Sequence, residues 1–354
     1  MKITFILPDI GLAGGVKVVF QYAKFLSAAG HEVSVVYSPP ETSWASPNIW
    51  LRRLLNDYRN LKYLSSKAIK IIKAPRLSER DIPDADIIVA TWWETAYNVS
   101  QYGESKGRKF YQIQHHEIWG GPKERVDKSY KLGLHNIVIS SWLKKTLEDM
   151  GANVEALILN SVDFDEFYPE KTQRNDNETR VLIPYRDQEW KGITDGLEAV
   201  KIARRKFRNI KLVMFGPKTN KTELTRDAEF HVFPRGAKLR RVYNSCDIFL
   251  FPSHCEGFGL PPMEAMACRI PVVTTNVGAI ADYAVAGRTA MVSEPRDINA
   301  LADNLITLIE DGEKRKTIAE NGYHYIKNFT WDASVKKLED VFEKRLCACE
   351  TING

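Results

Sequence analysis

An α/β protein built from two successive βαβ domains is the fold class that this sequence predicts, and three observations predict it. An apolar run at 2–7 leads through a glycine-rich loop to an amphipathic stretch ended by Gly30, and a second apolar run follows at 31–37. After a polar, linker-like stretch at 170–180 the pattern starts again: apolar 181–184, a helical period from 193 to 206, apolar 211–215 and Gly216. Further on, Ile248-Phe249-Leu250-Phe251 runs into a Gly257-x-Gly259 turn and then Pro261-Pro262. The 354 residues suffice for two cores of ordinary size.

Within the first domain, the glycines after the first strand are Gly11, Gly14 and Gly15. A nicotinamide fingerprint would need another spacing, and its second strand would end on an acid rather than on Tyr37-Ser38. Leu51, Leu54, Leu55, Tyr58 and Leu61 mark a helix face. The surrounding stretch, 51–80, holds nine cations against Asp57 and Glu79. It reads either as a solvated face or as a dock for an anionic membrane or a lipid-phosphate acceptor. A strand at 86–90 brings Trp92 and Trp93 to its carboxyl end, where open α/β sheets bind ligands. Two indoles there either stack on a sugar or pack in the core. Asp84-Ala85-Asp86 precedes that strand and reads as its entrance, not as a metal site. A strand at 110–114 ends in His115-His116-Glu117, a helix is expected over 127–133, and Ser140 or Ser141 caps another at 142–150.

In the second domain, strand, glycine turn and helix start around Gly257 and Gly259 form an anion site, because unpaired amides and the helix dipole favour phosphate. Pro261 and Pro262 suit a first helical turn, where a missing N–H costs nothing. Glu264 lies one turn into that helix, and a carboxylate there suits ribose hydroxyls better than the phosphate itself. Glu256, across the turn, faces the other end of the same ligand. The plainer alternative is a helix-capping Glu256 and a surface Glu264. Arg186 and Lys191, after the strand at 181–184, suit a diphosphate, one by its planar fork and the other as a point charge.

The bulk composition, 44% hydrophobic and 27% charged with net charge +5, fits a globular protein and gives no argument for nucleic acid. Five cysteines without metal-type spacing (Cys246, Cys255, Cys268, Cys347, Cys349) fit a reducing compartment. The first apolar run is stopped by Pro8 and Asp9, so it is expected to be a strand and not a secretory signal. The expected location is cytoplasmic, at or near the inner face of the membrane.

Glu256 and Glu264, with seven residues between them, resemble the Glu-x7-Glu motif of the retaining glycosyltransferases of family four, the glycosyl transferases group 1. Phe251-Pro252-Ser253 before it and Ile270-Pro271-Val272-Val273-Thr274 after it are similar to that family too, and the likeness covers nearly the whole chain. The resemblance implies the GT-B architecture: two Rossmann-like domains facing across a cleft, with the last helix, 331–350, returning to the first. Its boundaries here are an acceptor-side domain over 1–169 and a nucleotide-sugar domain over 170–330. It implies transfer of a sugar from a nucleotide-diphosphate sugar to a hydroxyl acceptor with retained configuration, a saccharide or lipid-linked saccharide being the acceptor, in cell-surface polysaccharide or glycolipid synthesis. Catalytic roles fall on Glu256, His115, Arg186 and Lys191, with His116 the alternative to His115. Donor binding falls on Glu264, Gly257, Phe258, Gly259, Leu260, Gly14 and Gly15, with no cofactor and no metal. The sequence departs from the commoner pattern at Ser161, at Tyr185 and at Pro234-Arg235, and the last leaves the base undecided. A nucleotide-sugar hydrolase or epimerase, and a non-catalytic binding subunit, are the other classes this fold would serve.

Overall fold

A computed structural model of the protein describes residues 1–11, 14–38, 60–61, 66, 68–172, 177–217 and 225–350, the last three by backbone alone. The chain divides into two compact units, 1–160 with 331–354, and 161–330.

In the first unit, β1 (Lys2–Leu7), α1 (Gly14–Ala28) and β2 (Glu32–Tyr37) form the opening βαβ. Then come β3 (Ile69–Lys73), β4 (Ile87–Ala90), α2 (Trp93–Gln101), β5 (Arg108–Ile113), α3 (Lys123–Ser129), β6 (His135–Val138), α4 (Ser141–Asp149) and β7 (Ala156–Leu157). The strand order is β3-β2-β1-β4-β5-β6-β7, and every pairing is parallel. Both faces of such a sheet are covered, which is why β4 is a continuous apolar run and β1 is buried from Ile3 to Leu7 without alternation. The order reverses between β1 and β4, so their carboxyl ends open a crevice between diverging connections.

The second unit holds β8 (Thr179–Pro184), α5 (Ile193–Lys206), β9 (Ile210–Gly216), β10 (Glu229–Val232), α6 (Ala237–Asn244), β11 (Ile248–Phe251), α7 (Leu260–Ala267), β12 (Val272–Thr275), α8 (Ile280–Tyr283), β13 (Met291–Ser293), α9 (Ile298–Glu310) and α10 (Gly312–Ile326). Its order, β10-β9-β8-β11-β12-β13, is again all parallel and reverses between β8 and β11. Leu197 and Val200 of α5 and Leu301 and Leu305 of α9 cover one face of this sheet over Ile183, Met214 and Leu250. Asp297 caps α9, its carboxylate accepting from Ala300 N–H at 2.9 Å.

The C-terminal helix (Trp331–Glu350) lies in the first unit. Trp331 meets Tyr22 edge-on at 5.0 Å, and Phe342 packs on Phe110 at 4.7 Å. Glu339 pairs with His31 at 2.7 Å, Arg345 pairs with Glu155, and Ser334 Oγ donates to the Leu159 carbonyl at 2.7 Å.

Two expectations shift, and a third falls partly outside the described residues. The division falls at 160/161 instead of 169/170, because 161–170 is fastened to the second unit: Asn244 donates to the Tyr168 carbonyl and accepts from Glu170 N–H, and Arg240 reaches Glu170. The helix expected over 127–133 starts at Lys123, just after Pro122 sets an extended entry, and is over before Gly133 at φ 83°. Of the basic stretch, 51–59, 62–65 and 67 lie outside the described residues, and Ile69–Lys73 is an edge strand with Lys70 and Lys73 exposed.

Candidate active site

The two connections at the second sheet's reversal point are locked to each other. After β8 the chain makes a tight turn at Glu189–Lys191, and Gly192 adopts φ 62°. A Cβ there would fall 1.9 Å from the Pro252 carbonyl, so glycine is required by both conformation and space. His254 N–H donates to the Trp190 carbonyl at 2.7 Å, and its Nε2 lies 2.7 Å from Asp195 Oδ2 in the first turn of α5. Thr275, at the end of β12, donates to the Ser253 carbonyl.

This zipper brings Lys191 and Glu256 together. Lys191 Nζ lies 2.8 and 2.9 Å from the two carboxylate oxygens of Glu256, and Ser253 Oγ donates to one of them at 2.7 Å. Arg186 stands at the end of β8 with its guanidinium 5.9 Å from the Phe233 ring. Burial pushes Arg186 below the usual guanidinium range, against the raising pull of Asp187 and Glu256.

A third connection supports the glycine turn from behind. Gly278, at φ 60°, lies so close that a Cβ would come within 2.9 Å of Glu256 Cβ. Ala279 N–H donates to the Phe258 carbonyl at 3.0 Å, Tyr283 Oη donates to that of Gly259 at 2.5 Å, and the Phe258 and Tyr283 rings stack at 5.4 Å. Gly259 itself has φ 89°. Since Pro261 and Pro262 have no N–H, the amides at the start of α7 are those of Gly257, Phe258, Gly259, Leu260 and, one turn in, Met263.

Glu264 is only 8% exposed, and Tyr243 Oη from α6 donates to its Oε2 at 2.9 Å. Burial and then the Glu264 charge push the Tyr243 phenol well above its usual range, which keeps it a donor. Glu264 is therefore a carboxylate held from inside, not the side chain on an open surface that the plainer reading supposed.

In the first unit, Gln114 at the end of β5 donates to the Gly15 carbonyl at 3.1 Å and fills the space beside its Cα. That bond draws Gly14 and Gly15, at the start of α1, to the edge where His115 begins the next loop. His115 meets Trp119 edge-on at 4.1 Å, whereas His116 is tied to Asp127 at 2.8 Å. Trp93 is buried, so a sugar cannot stack on it. Asp84 pairs with Lys106, and Asp86 accepts from Lys2 N–H, which makes Asp84-Ala85-Asp86 a strand entrance.

Sequence reasoning missed Tyr243, Tyr283, Ser253 and the His254–Asp195 pair. None carries a local signal, because each works through a partner on a distant connection. Asp195 at the third position of a helix and His254 two residues before Glu256 were visible, but their meeting depends on the strand order.

Two parallel sheets, each reversing at a glycine-lined crevice, are a GT-B fold, and solved structures bear this out across nearly the full chain. Sucrose-phosphate synthase from Thermosynechococcus elongatus superposes with a TM-score of 0.76 at 18% identity, covering 98% of this chain and 100% of its own. The Anabaena protein HepE, in complex with UDP-glucose, gives 0.74 at 17% identity, with 97% and 100% covered. Residues 164–325, which lie in the second unit, match the family described as glycosyl transferases group 1. An uncharacterized glycosyltransferase of Methanocaldococcus jannaschii is 28% identical over 214 residues, 59% of each chain. A capsular polysaccharide biosynthesis glycosyltransferase of Staphylococcus aureus is 34% identical over 163 residues, 43% of this chain and 42% of its own. The chain thus spans about half the length of these curated relatives.

Proposed function

We propose that the protein moves a sugar from a nucleotide-diphosphate sugar to a hydroxyl of a saccharide or lipid-linked saccharide, with retained configuration and without a metal. The second unit holds the donor and the first receives the acceptor. The observation that carries this reading is the Lys191–Glu256 pair beside the Gly257-x-Gly259 turn, at the reversal point of a parallel sheet. Glu256 occupies the Lys191 cation as a diphosphate would. An incoming diphosphate competes for Lys191, and the released carboxylate is then available to the donor sugar's hydroxyls. Arg186, Lys191 and the amides from Gly257 to Leu260 stabilise the charge that develops on the departing diphosphate. Glu264, steadied by Tyr243, accepts from ribose hydroxyls. Gly14, Gly15 and His115 line the first unit's own crevice.

Relatives named for capsular polysaccharide synthesis, O-antigen mannosyl transfer and sulfoquinovosyl transfer support cell-surface polysaccharide or glycolipid synthesis as the setting. Among the described residues no helix is long and apolar enough to cross a membrane. We set the reaction at the cytoplasmic side, where the exposed Lys70, Lys73, Arg76 and Arg80 would meet anionic lipid. The test is a melting screen with UDP, GDP, ADP and their sugar conjugates, followed by product analysis with and without a glycoside acceptor. A ligand at a hundred times its Kd stabilises by about 2.7 kcal/mol. If no nucleotide raises the melting temperature, the reading fails; if the donor is cleaved at one rate with or without acceptor, the protein is a hydrolase.

A further inference from the structure

The loop after β5 is fastened from several sides. Glu117, 3% exposed, accepts from Trp93 N–H at 3.0 Å at the first turn of α2. His116 is held by Asp127 of α3 at 2.8 Å. Gly120 and Gly121 lie directly on the two indoles before them: a Cβ on either would fall 2.4 Å from a ring carbon, of Trp92 and Trp93 respectively. Arg125 covers the Trp93 ring at 5.2 Å. The inner side of the loop is thus committed to packing.

Its outer side presents Ile118 and Trp119, 45% and 48% exposed. Single exposed apolar residues are ordinary, but this indole is braced. His115 meets it edge-on at 4.1 Å and an interplanar angle of 85°, and His115 in turn meets Trp142 of α4 at 5.5 Å and 80°. A flat apolar face held still costs little entropy to use, and its polar edges leave hydroxyl-bearing partners soluble around the rim. A pyranose has the matching form, one face of C–H bonds with hydroxyls at its periphery. Glu124 and Asp127 intersperse with Lys123, Arg125 and Lys128 on the adjoining helix, a mixed field instead of the cation excess that an anionic membrane selects.

We propose that Trp119, braced by His115 and Trp142, is the stacking platform for a pyranose ring of the carbohydrate that receives the transferred sugar. The inference rests on the glycosyl-transfer reading and adds to it the specificity-determining side chain of the acceptor.

The indole N–H resonances of the full-length protein test it, with Trp119 assigned by its disappearance in Trp119→Phe. Titration with methyl α-glucoside, methyl α-mannoside and methyl α-galactoside should shift the Trp119 and Trp142 signals saturably for at least one of the three. The Trp142 response should survive Trp119→Phe and weaken about tenfold or more in Trp119→Ala, the loss of one good contact. No shift of Trp119 with any glycoside, or a Trp142 response that survives Trp119→Ala, overturns the proposal. So does Trp119-dependent sedimentation with phosphatidylglycerol vesicles in the absence of any glycoside response, which would make the loop a lipid contact. UDP, GDP and ADP melting shifts are recorded on the same samples. Nucleotide stabilisation without a glycoside response removes Trp119 alone. Failure of every nucleotide removes the transfer reading, and the acceptor role with it.

Discussion

Lys191 carries a charge that Glu256 neutralises at 2.8 Å, and that pairing sets opposite expectations for the two side chains. Glu256→Gln leaves Lys191 without its carboxylate, so a nucleoside diphosphate should bind several-fold more tightly by calorimetry while turnover falls. Lys191→Ala should lower turnover by about 10²–10³, the scale for one charge-stabilising donor, and activity should withstand a chelator. Restoration of transfer by magnesium after chelation would reassign the phosphate roles. A different residue adds a pH dependence of its own in the first unit. Burial pushes the Glu117 carboxyl well above the usual range, against the lowering pull of Trp93 N–H and Tyr111. Native protein therefore holds a proton that the unfolded chain releases near pH 4.3. Its contribution is complete below that pH and is lost as pH rises through the folded value. Urea unfolding at pH 5 and pH 8 should show wild type losing stability relative to Glu117→Gln as pH rises.

Connections, more than strands, decide whether the second unit has a working crevice. Each of three loops carries a left-handed glycine at the contact: Gly192, Gly259 and Gly278. Gly192→Ala meets both a positive φ and the Pro252 carbonyl at 1.9 Å, so the turn must open. The strain is worth about 1–3 kcal/mol, and the melting temperature should fall accordingly. Nucleotide affinity should fall further than in a variant equally destabilised at a remote core site such as Leu305→Val, because the opened turn also carries Lys191. Equal losses in the two variants would mean the zipper is structural only.

The chain as a whole is closed by its last helix, which belongs with residues far earlier in sequence. Trp331, Val335, Leu338 and Phe342 are buried, and each such side chain contributes about 1.5–3 kcal/mol. Ending the protein at Phe329 removes all four together with the His31–Glu339 and Glu155–Arg345 pairs. Calorimetry should find the first unit unfolded or melting far below its normal temperature, since the whole loss is comparable with a domain's net stability of about 5–15 kcal/mol. Unchanged melting would make the helix a free tail.

Apolar runs, glycines and prolines determined much of this protein from sequence alone. β1, β2, β8 and β11 are legible because strands buried on both faces need mostly apolar residues on both sides. The start of α7 and the stripe Val335-Leu338-Phe342 are legible because helical caps and periods are local. Arg186, Lys191, Glu256 and Glu264 could be singled out because charge beside a glycine turn is unusual without a ligand. What those side chains do to one another was decided by the tertiary structure. The strand order β8-β11-β12 sets Lys191 on Glu256, sixty-five residues apart, and Tyr243 on Glu264. It likewise made Trp93 a core residue and left Trp119 outside, although the sequence marks the earlier indoles more strongly. Backbone preference acts between neighbours in sequence, whereas electrostatic pairing and burial act between neighbours in space, and only the folded sheets bring the latter together.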